Sequence, residues 1–172
     1  MSLAKILNDK EFMSIAHLII NDQEFQKRKG FKHHNDSVYE HSINVSYKAY
    51  KFAKIISKVY NVSLEEVIIA GLLHDFYTTP WRDIPKNIPF FKKHAFIHGK
   101  IACQNAEHFF PNYMTLRVEN SIENHMFPLT KPPIYIEGWI ITLADKLVSL
   151  DVLAHPLELP RYIGVRWKLK SR

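Results

Sequence analysis

The 172-residue sequence predicts an all-α fold, a compact bundle of about six or seven helices forming a single domain over residues 1–172. The composition favours this fold, because 47% of the residues are hydrophobic and only 5 are glycine. Apolar residues also recur at helical spacing along most of the chain. The segment from Val67 to Leu73 is apolar apart from Gly71, which predicts a central helix that is buried on nearly every side.

The first half of the chain predicts three helical stretches. Residues 2–20 carry apolar side chains at mostly helical spacing and predict one helix or two short ones, followed by a polar, basic loop over residues 21–37. The Ser-Val-Tyr-Glu segment 37–40 has a capping-box pattern, which predicts a helix over about residues 38–60. The same pattern of Ser and Glu recurs at residues 63–66, where the central helix is expected to begin.

The second half of the chain predicts a long loop, three more helices and a tail. Residues 76–94 are rich in proline and aromatic residues, which excludes a long helix and is typical of a functional loop. Helical periodicity then predicts helices over about 95–110, 116–126 and 135–153. Residues 155–172 are basic and predict an irregular tail.

Two polar residues end the central helix, where its apolar pattern would otherwise continue. His74 and Asp75 bury badly unless something binds them. A neutral imidazole and a carboxylate at the negative end of a helix dipole favour a bound cation, and both are good ligands for transition metals. The alternative is a capping histidine beside a solvated aspartate.

Asp145 and His41 lie on two other predicted helices, and each is polar at a position where the helical pattern calls for a core residue. Asp145 lies inside an apolar run, where burial is costly without a cation or hydrogen-bond donors. Its neighbour Lys146 is a poor partner, because adjacent helix positions do not face each other. His41 shares a helix face with Val45, although a single histidine on an apolar face is more often a satisfied core residue. Together with the pair that ends the central helix, these two residues predict a metal site.

The order of these residues, His, then His-Asp, then Asp, resembles that of the HD-domain metal-dependent phosphohydrolases, which are helical enzymes. Three segments carry the resemblance, namely Val38–Val45, Ala70–Asp75 and Leu143–Lys146. The resemblance spans a core of about residues 37–151 and leaves residues 155–172 as a C-terminal tail. It implies that the predicted bundle is an HD domain.

Members of that family that bind two metal ions carry two further histidines, and His98 and His125 occupy those places here. The resemblance therefore implies two divalent ions, with a single ion as the alternative. Imidazole and carboxylate ligands suit Fe, Mn, Co, Ni or Zn. The implied ligands are His41, His74, Asp75 and Asp145 for one ion, and His98 and His125 for the other, with Asp75 bridging the two.

The resemblance also implies a hydrolase that cleaves a phosphate ester or anhydride of a small, nucleotide-like substrate with metal-activated water. Asp75, Lys146 and Arg82 are the candidate catalytic residues, and Lys146, Arg82 and His34 are the candidates for holding the substrate phosphate. The segment Phe76–Arg82 departs from the acidic or lysine-bearing sequence that often follows the His-Asp pair in the family. Because of this departure, the resemblance does not assign the residue that acts as the general acid.

Two other functions compete with this hypothesis. One is a non-catalytic sensor that keeps the metals and binds a nucleotide. The other, less favoured, is a nucleic-acid-binding protein, for which 23 Lys and Arg against 17 Asp and Glu, a formal charge of +6, are the support. Many of these basic residues alternate with apolar ones, which is typical of solvated helix faces.

The sequence also predicts a cytoplasmic protein without a membrane partner. No apolar run reaches the roughly 18 residues that a membrane span needs, and the N-terminus lacks the apolar core of a signal peptide. Cys103 is the only cysteine, so no internal disulfide can form. The pattern does not distinguish a monomer from a homodimer.

Overall fold

The structure, a computed structural model, describes the backbone of residues 2–33, 36–78 and 94–154, and the side chains within 2–31, 37–78 and 97–150. The described residues form eight α-helices packed as a compact bundle, which confirms the predicted all-α fold. The helices are α1 Leu3–Leu7, α2 Lys10–Ile20, α3 Gln23–Gln26, α4 Val38–Ile56, α5 Leu64–Leu73, α6 His94–Phe109, α7 Leu116–Asn124 and α8 Ile136–Ala154.

The short elements between α2 and α4 differ from the predicted loop. A 3-10 turn, Lys27–Gly30, follows α3 and leads into an antiparallel pair of two-residue strands, β1 Lys32–His33 and β2 Asp36–Ser37. The pair brings the chain to the start of α4, where the Val38 amide donates to the Phe31 carbonyl at 2.8 Å. The polar composition of this segment does not predict the 3-10 turn or the two strands, because elements this short have no periodicity.

Both predicted helix starts are confirmed. The Ser37 hydroxyl accepts a hydrogen bond from the Glu40 amide at 3.2 Å, and the Glu40 carboxylate accepts from the Ser37 amide at 3.1 Å, which completes the capping box of α4. At α5, the Ser63 hydroxyl accepts from the Glu66 amide at 3.2 Å. These caps fix where each helix begins, and so fix the position of every residue that follows along it.

Helix α5 is the centre of the bundle, as its apolar sequence predicts. All seven residues from Val67 to Leu73 are buried, and the helix packs against α2, α4, α7 and α8. Gly71 allows α4 to approach closely, because a Cβ at this position would lie 2.5 Å from the Ser46 Cα. The Ser46 hydroxyl donates to the Ile68 carbonyl at 2.8 Å across the same contact.

Two further contacts hold α6, α7 and α8 in place. Gly99 on α6 faces the end of α7, where an added Cβ would lie 2.7 Å from the Glu123 carbonyl oxygen. Glu137 on α8 is fully buried and accepts hydrogen bonds from the Ser63 amide at 3.1 Å and the Arg117 guanidinium at 2.8 Å. It therefore joins α8 to the N-cap residue of α5 and to α7.

One inward-facing residue was assigned wrongly from the sequence. The apolar residues of the segment 116–126, namely Leu116, Ile122 and Met126, predict its inner face. Leu116 is instead 72% exposed. The buried face of α7 consists of Val118, Ser121 and Ile122, at the i, i+3, i+4 spacing of one helix face, and Leu116 lies about 200° around the helix from Val118.

Among the described residues, no helix has both the length and the apolar character that a membrane crossing requires.

Candidate metal centre

Six polar side chains from five helical segments meet inside the bundle. His41 lies near the start of α4, His98 on α6 and Asp145 in the middle of α8. His74 and His125 are the residues that directly follow α5 and α7, and Asp75 comes one residue later. None of the six is more than 9% exposed. The structure thus brings together all six residues that the sequence singled out, whose role as metal ligands remains a prediction.

The first group of side chains surrounds one oxygen of Asp145. His41 Nε2 lies 3.2 Å from Asp145 Oδ1, and His74 Nε2 lies 3.8 Å from the same oxygen. Both imidazoles also approach Asp75 Oδ2, at 3.9 Å from His41 Nε2 and 3.6 Å from His74 Nε2. Two nitrogens and two carboxylate oxygens therefore face one small volume.

The second group faces the other oxygen of Asp75. His98 Nε2 and His125 Nε2 are 2.9 Å apart, and they lie 3.7 and 3.8 Å from Asp75 Oδ1. Asp75 consequently turns one oxygen toward His41 and His74 and the other toward His98 and His125. This is the arrangement expected of a carboxylate that lies between two sites.

The ends of α5 and α7 orient the two histidines that follow them. His74 Nδ1 donates to the Gly71 carbonyl at 2.8 Å, and His125 Nδ1 donates to the Ile122 carbonyl at 2.7 Å. The last carbonyls of a helix have no partner within it, so they are free to accept these bonds. A carbonyl can only accept, so each Nδ1 carries the hydrogen in these bonds and a neutral ring presents the lone pair of Nε2 to the site.

The donor set fits a divalent transition-metal ion. Within the described part of the chain, the buried His74 Nε2 has no hydrogen-bond partner, an arrangement that is costly unless something binds the atom. Because metal–nitrogen bonds are about 2.0–2.1 Å long, two imidazole nitrogens bound to one ion at a right angle are about 3 Å apart. The separation of 2.9 Å between His98 Nε2 and His125 Nε2 matches that distance. Two sets of three side chains each bring their ligand atoms within 4.8 Å of one another. The first set is His41, His74 and Asp145, and the second is His74, Asp75 and His125.

The ionisable groups of the site shift one another strongly. Burial lowers the pKa of His74, but the carboxylates of Asp75 and Asp145 outweigh it and raise this pKa to about 9. Burial, together with the neighbouring His98 and His74, lowers the pKa of His125 to about 3. Burial opposes ionisation of Asp145, yet its contacts with His41 and His74 hold its pKa well below the usual range. His125 is therefore a neutral imidazole near pH 7, whereas a cation at His74 would replace a proton.

Tyr77 is part of the site, although the sequence did not single it out. Its hydroxyl donates to Asp75 Oδ1 at 2.6 Å, its side chain is buried, and its ring meets the His98 ring at a centroid distance of 6.1 Å. The departure of Phe76–Arg82 from the family pattern was the available signal. A tyrosine among aromatic residues looks like a packing residue until its hydroxyl can be placed.

Replacing Tyr77 with Phe is expected to weaken binding of a divalent ion by about tenfold, because partners that orient a ligating carboxylate are worth roughly 10- to 100-fold in metal affinity. The ring still fills its place, so the variant loses only the hydrogen bond to Asp75. Titration of the metal-free protein with Mn²⁺ in a calorimeter measures the change. Tyr39→Phe is the matched control, since Tyr39 is also buried but packs against Phe25. Equal Mn²⁺ affinity in the Tyr77 variant and the wild type would contradict this role.

Of the residues predicted to hold the substrate phosphate, the structure describes only Lys146. Lys146 is exposed, and its ammonium donates to the Phe127 carbonyl at 2.7 Å. A substrate phosphate would have to compete with that carbonyl, and the role of Lys146 stays a prediction. His34, Arg82 and the tail 155–172 lie outside the described residues.

Comparison with known proteins assigns the family. The family model described as HD domain matches residues 38–150, close to the core of about 37–151 expected from the sequence, and contains all six residues of the cluster. Searches of curated proteins and of solved structures returned no significant match. Because the family match covers more than half of the 172 residues and includes the buried His/Asp cluster, the chain belongs to the HD-domain family of metal-dependent phosphohydrolases.

Proposed function

We propose that the protein hydrolyses a phosphate ester or anhydride of a small, nucleotide-like substrate, and that two divalent transition-metal ions drive the reaction. The observation that carries the proposal is the orientation of Asp75, whose two oxygens face two different pairs of imidazoles. A carboxylate shared between two ions is the usual bridge in two-metal hydrolytic sites, where the ions lie about 3.5–4 Å apart.

The distances divide the ligands into two sets. His41, His74, Asp145 and Asp75 would hold one ion, and His98, His125 and Asp75 would hold the other. Mixed nitrogen and oxygen ligands without a thiolate suit Fe, Mn, Co, Ni or Zn. The donors at the first ion include two carboxylates, so this is the more strongly charged of the two sites and the one expected to fill first.

The chain's own residues prepare the site for phosphoryl chemistry. Bound ions supply Lewis acidity toward phosphoryl oxygens and lower the pKa of water toward neutrality. Burial keeps bulk water away from the six ligands, which strengthens the attraction of the two carboxylates for a bound cation. The Tyr77 hydroxyl holds Asp75 in one orientation, and Asp75 is the proposed catalytic carboxylate. Lys146, together with His34 and Arg82, is proposed to bind the substrate phosphate.

The test is metal analysis of the purified protein, followed by a phosphate-release screen over nucleotides and dinucleotides. We expect about two ions per chain, activity that a chelator removes, and recovery when Mn²⁺, Co²⁺, Ni²⁺, Zn²⁺ or Fe²⁺ is added back. The chelated protein should also melt at a lower temperature, because an ion present at 100 times its Kd stabilises a fold by about 2.7 kcal/mol.

Other outcomes would favour other functions. Tight, metal-dependent nucleotide binding without turnover would favour the sensor over the hydrolase. Nucleic-acid binding that weakens steeply with salt and survives chelation would favour the basic binding protein. A protein that holds no transition metal after purification and takes none up on titration would contradict the proposed site itself.

A further inference from the structure

Arg28 is the only arginine or lysine that is buried among the described side chains. It lies in the 3-10 turn Lys27–Gly30 between α3 and β1 and is 2% exposed. Its guanidinium carbon lies 4.3 Å from the centre of the Phe76 ring and 5.0 Å from that of Phe31. The charge is thus enclosed by aromatic rings rather than by water.

Within the described part of the chain, two of the guanidinium nitrogens of Arg28, Nε and Nη2, are buried without a hydrogen bond. These two nitrogens lie on the same edge of the guanidinium, and their N–H bonds point in nearly the same direction. This is the edge that accepts two oxygens of a carboxylate or a phosphate at once.

The described residues compensate little for the burial of this edge. Glu24, the carboxylate that acts on Arg28 electrostatically, pairs its own oxygen with the Lys27 ammonium. Cation–π contacts with Phe31 and Phe76 recover only part of the cost of burying the charge. A buried bidentate edge of this kind is expected to be filled by an oxyanion, and no described residue supplies one.

Arg28 is linked to the metal centre through Phe76. Phe76, on which the guanidinium stacks, directly follows Asp75 in the chain. We propose that Arg28 binds a phosphate group through Nε and Nη2, and that this is a subsite for the ligand whose other end reaches the metal centre. The identification of the anion as a phosphate of the substrate rests on the proposed function. The anion-binding edge itself rests on the geometry of Arg28 alone.

Binding of inorganic phosphate and of pyrophosphate to the metal-free protein tests the proposal, with chelator present so that the metal centre cannot contribute. Calorimetry at constant chloride concentration measures the affinities, because added salt screens exposed charges. Arg28→Met is the test variant. Lys29→Met is the matched control, since it removes the same charge from an exposed position in the same turn. We expect Arg28→Met to bind at least about tenfold more weakly than the wild type, and Lys29→Met to bind within about twofold of it.

A second variant keeps the test decisive if Arg28→Met does not fold. Arg28→Lys keeps the charge but loses the two-nitrogen edge, so its phosphate affinity is expected to fall as well. Phosphate binding that is equal in wild type and in either folded variant would overturn the proposal, as would a wild type that binds neither anion. Anion binding that depends on Arg28, in a protein whose metal-loaded form releases no phosphate, would retain the subsite and reject the hydrolase.

Discussion

The Asp75→Asn variant is expected to lose metal-dependent phosphate release by about three orders of magnitude or more, because the substitution removes the one carboxylate shared by both groups of imidazoles. Asparagine keeps the shape of the side chain but offers one neutral oxygen, and its amide nitrogen is not a ligand. Metal content should therefore fall together with turnover. Metal analysis and initial rates on the same sample measure both quantities.

The control for this variant is Glu65→Gln, which removes one carboxylate from an exposed position on α5, the helix that precedes Asp75. It should keep wild-type metal content and rate. Thermal melting in chelator, monitored by circular dichroism, shows whether the Asp75 variant still folds without metal. A folded Asp75→Asn protein with two ions and more than a tenth of the wild-type rate would contradict the bridging role.

Most residues of the His/Asp cluster could be singled out in the sequence because they break the pattern of their own helices. His74 and Asp75 interrupt an apolar run, and Asp145 lies inside another. Each departure is local, so it is visible without knowing which helices pack together. Their meeting in space was not visible in this way: His41 Nε2 contacts an oxygen of Asp145, 104 positions along the chain. That they meet was inferred from the need of each for a cation, and the resemblance to a family implied the same ligand set.

Residues that match their surroundings in chemical type could not be found from the sequence. Tyr77 lies among aromatic residues, and Arg28 lies in a basic segment that looks like a solvated turn. In each case the informative fact is where one or two polar atoms point, which depends on packing between elements. Gly71 gave no signal either, because a glycine in an apolar helix can be interpreted simply as a tolerated small residue.

Gly71 is nevertheless expected to control both stability and the site. In Gly71→Ala the new Cβ would lie 2.5 Å from the Ser46 Cα and 2.9 Å from its Cβ, so the backbones of α4 and α5 must separate. Alanine gains about 1 kcal/mol of helix propensity over glycine, whereas a forced contact in a packed core costs typically 1–3 kcal/mol and sometimes more. With backbone as the obstacle, we expect the upper end of that range, and a net loss of about 2 kcal/mol in the free energy of unfolding.

The same separation should weaken metal binding, because His41 is on α4 and His74, held by the Gly71 carbonyl, ends α5. Denaturant melts in chelator measure the stability of the metal-free fold, and Mn²⁺ titration measures the site. Gly30→Ala is the control: nothing lies within 4 Å of a Cβ there, so it should leave both quantities unchanged or raise stability slightly. Gly71→Ala could instead prove as stable as Gly30→Ala and bind Mn²⁺ as tightly as the wild type. That result would show that the close contact of α4 with α5 does not set the distance between the His41 and His74 imidazoles.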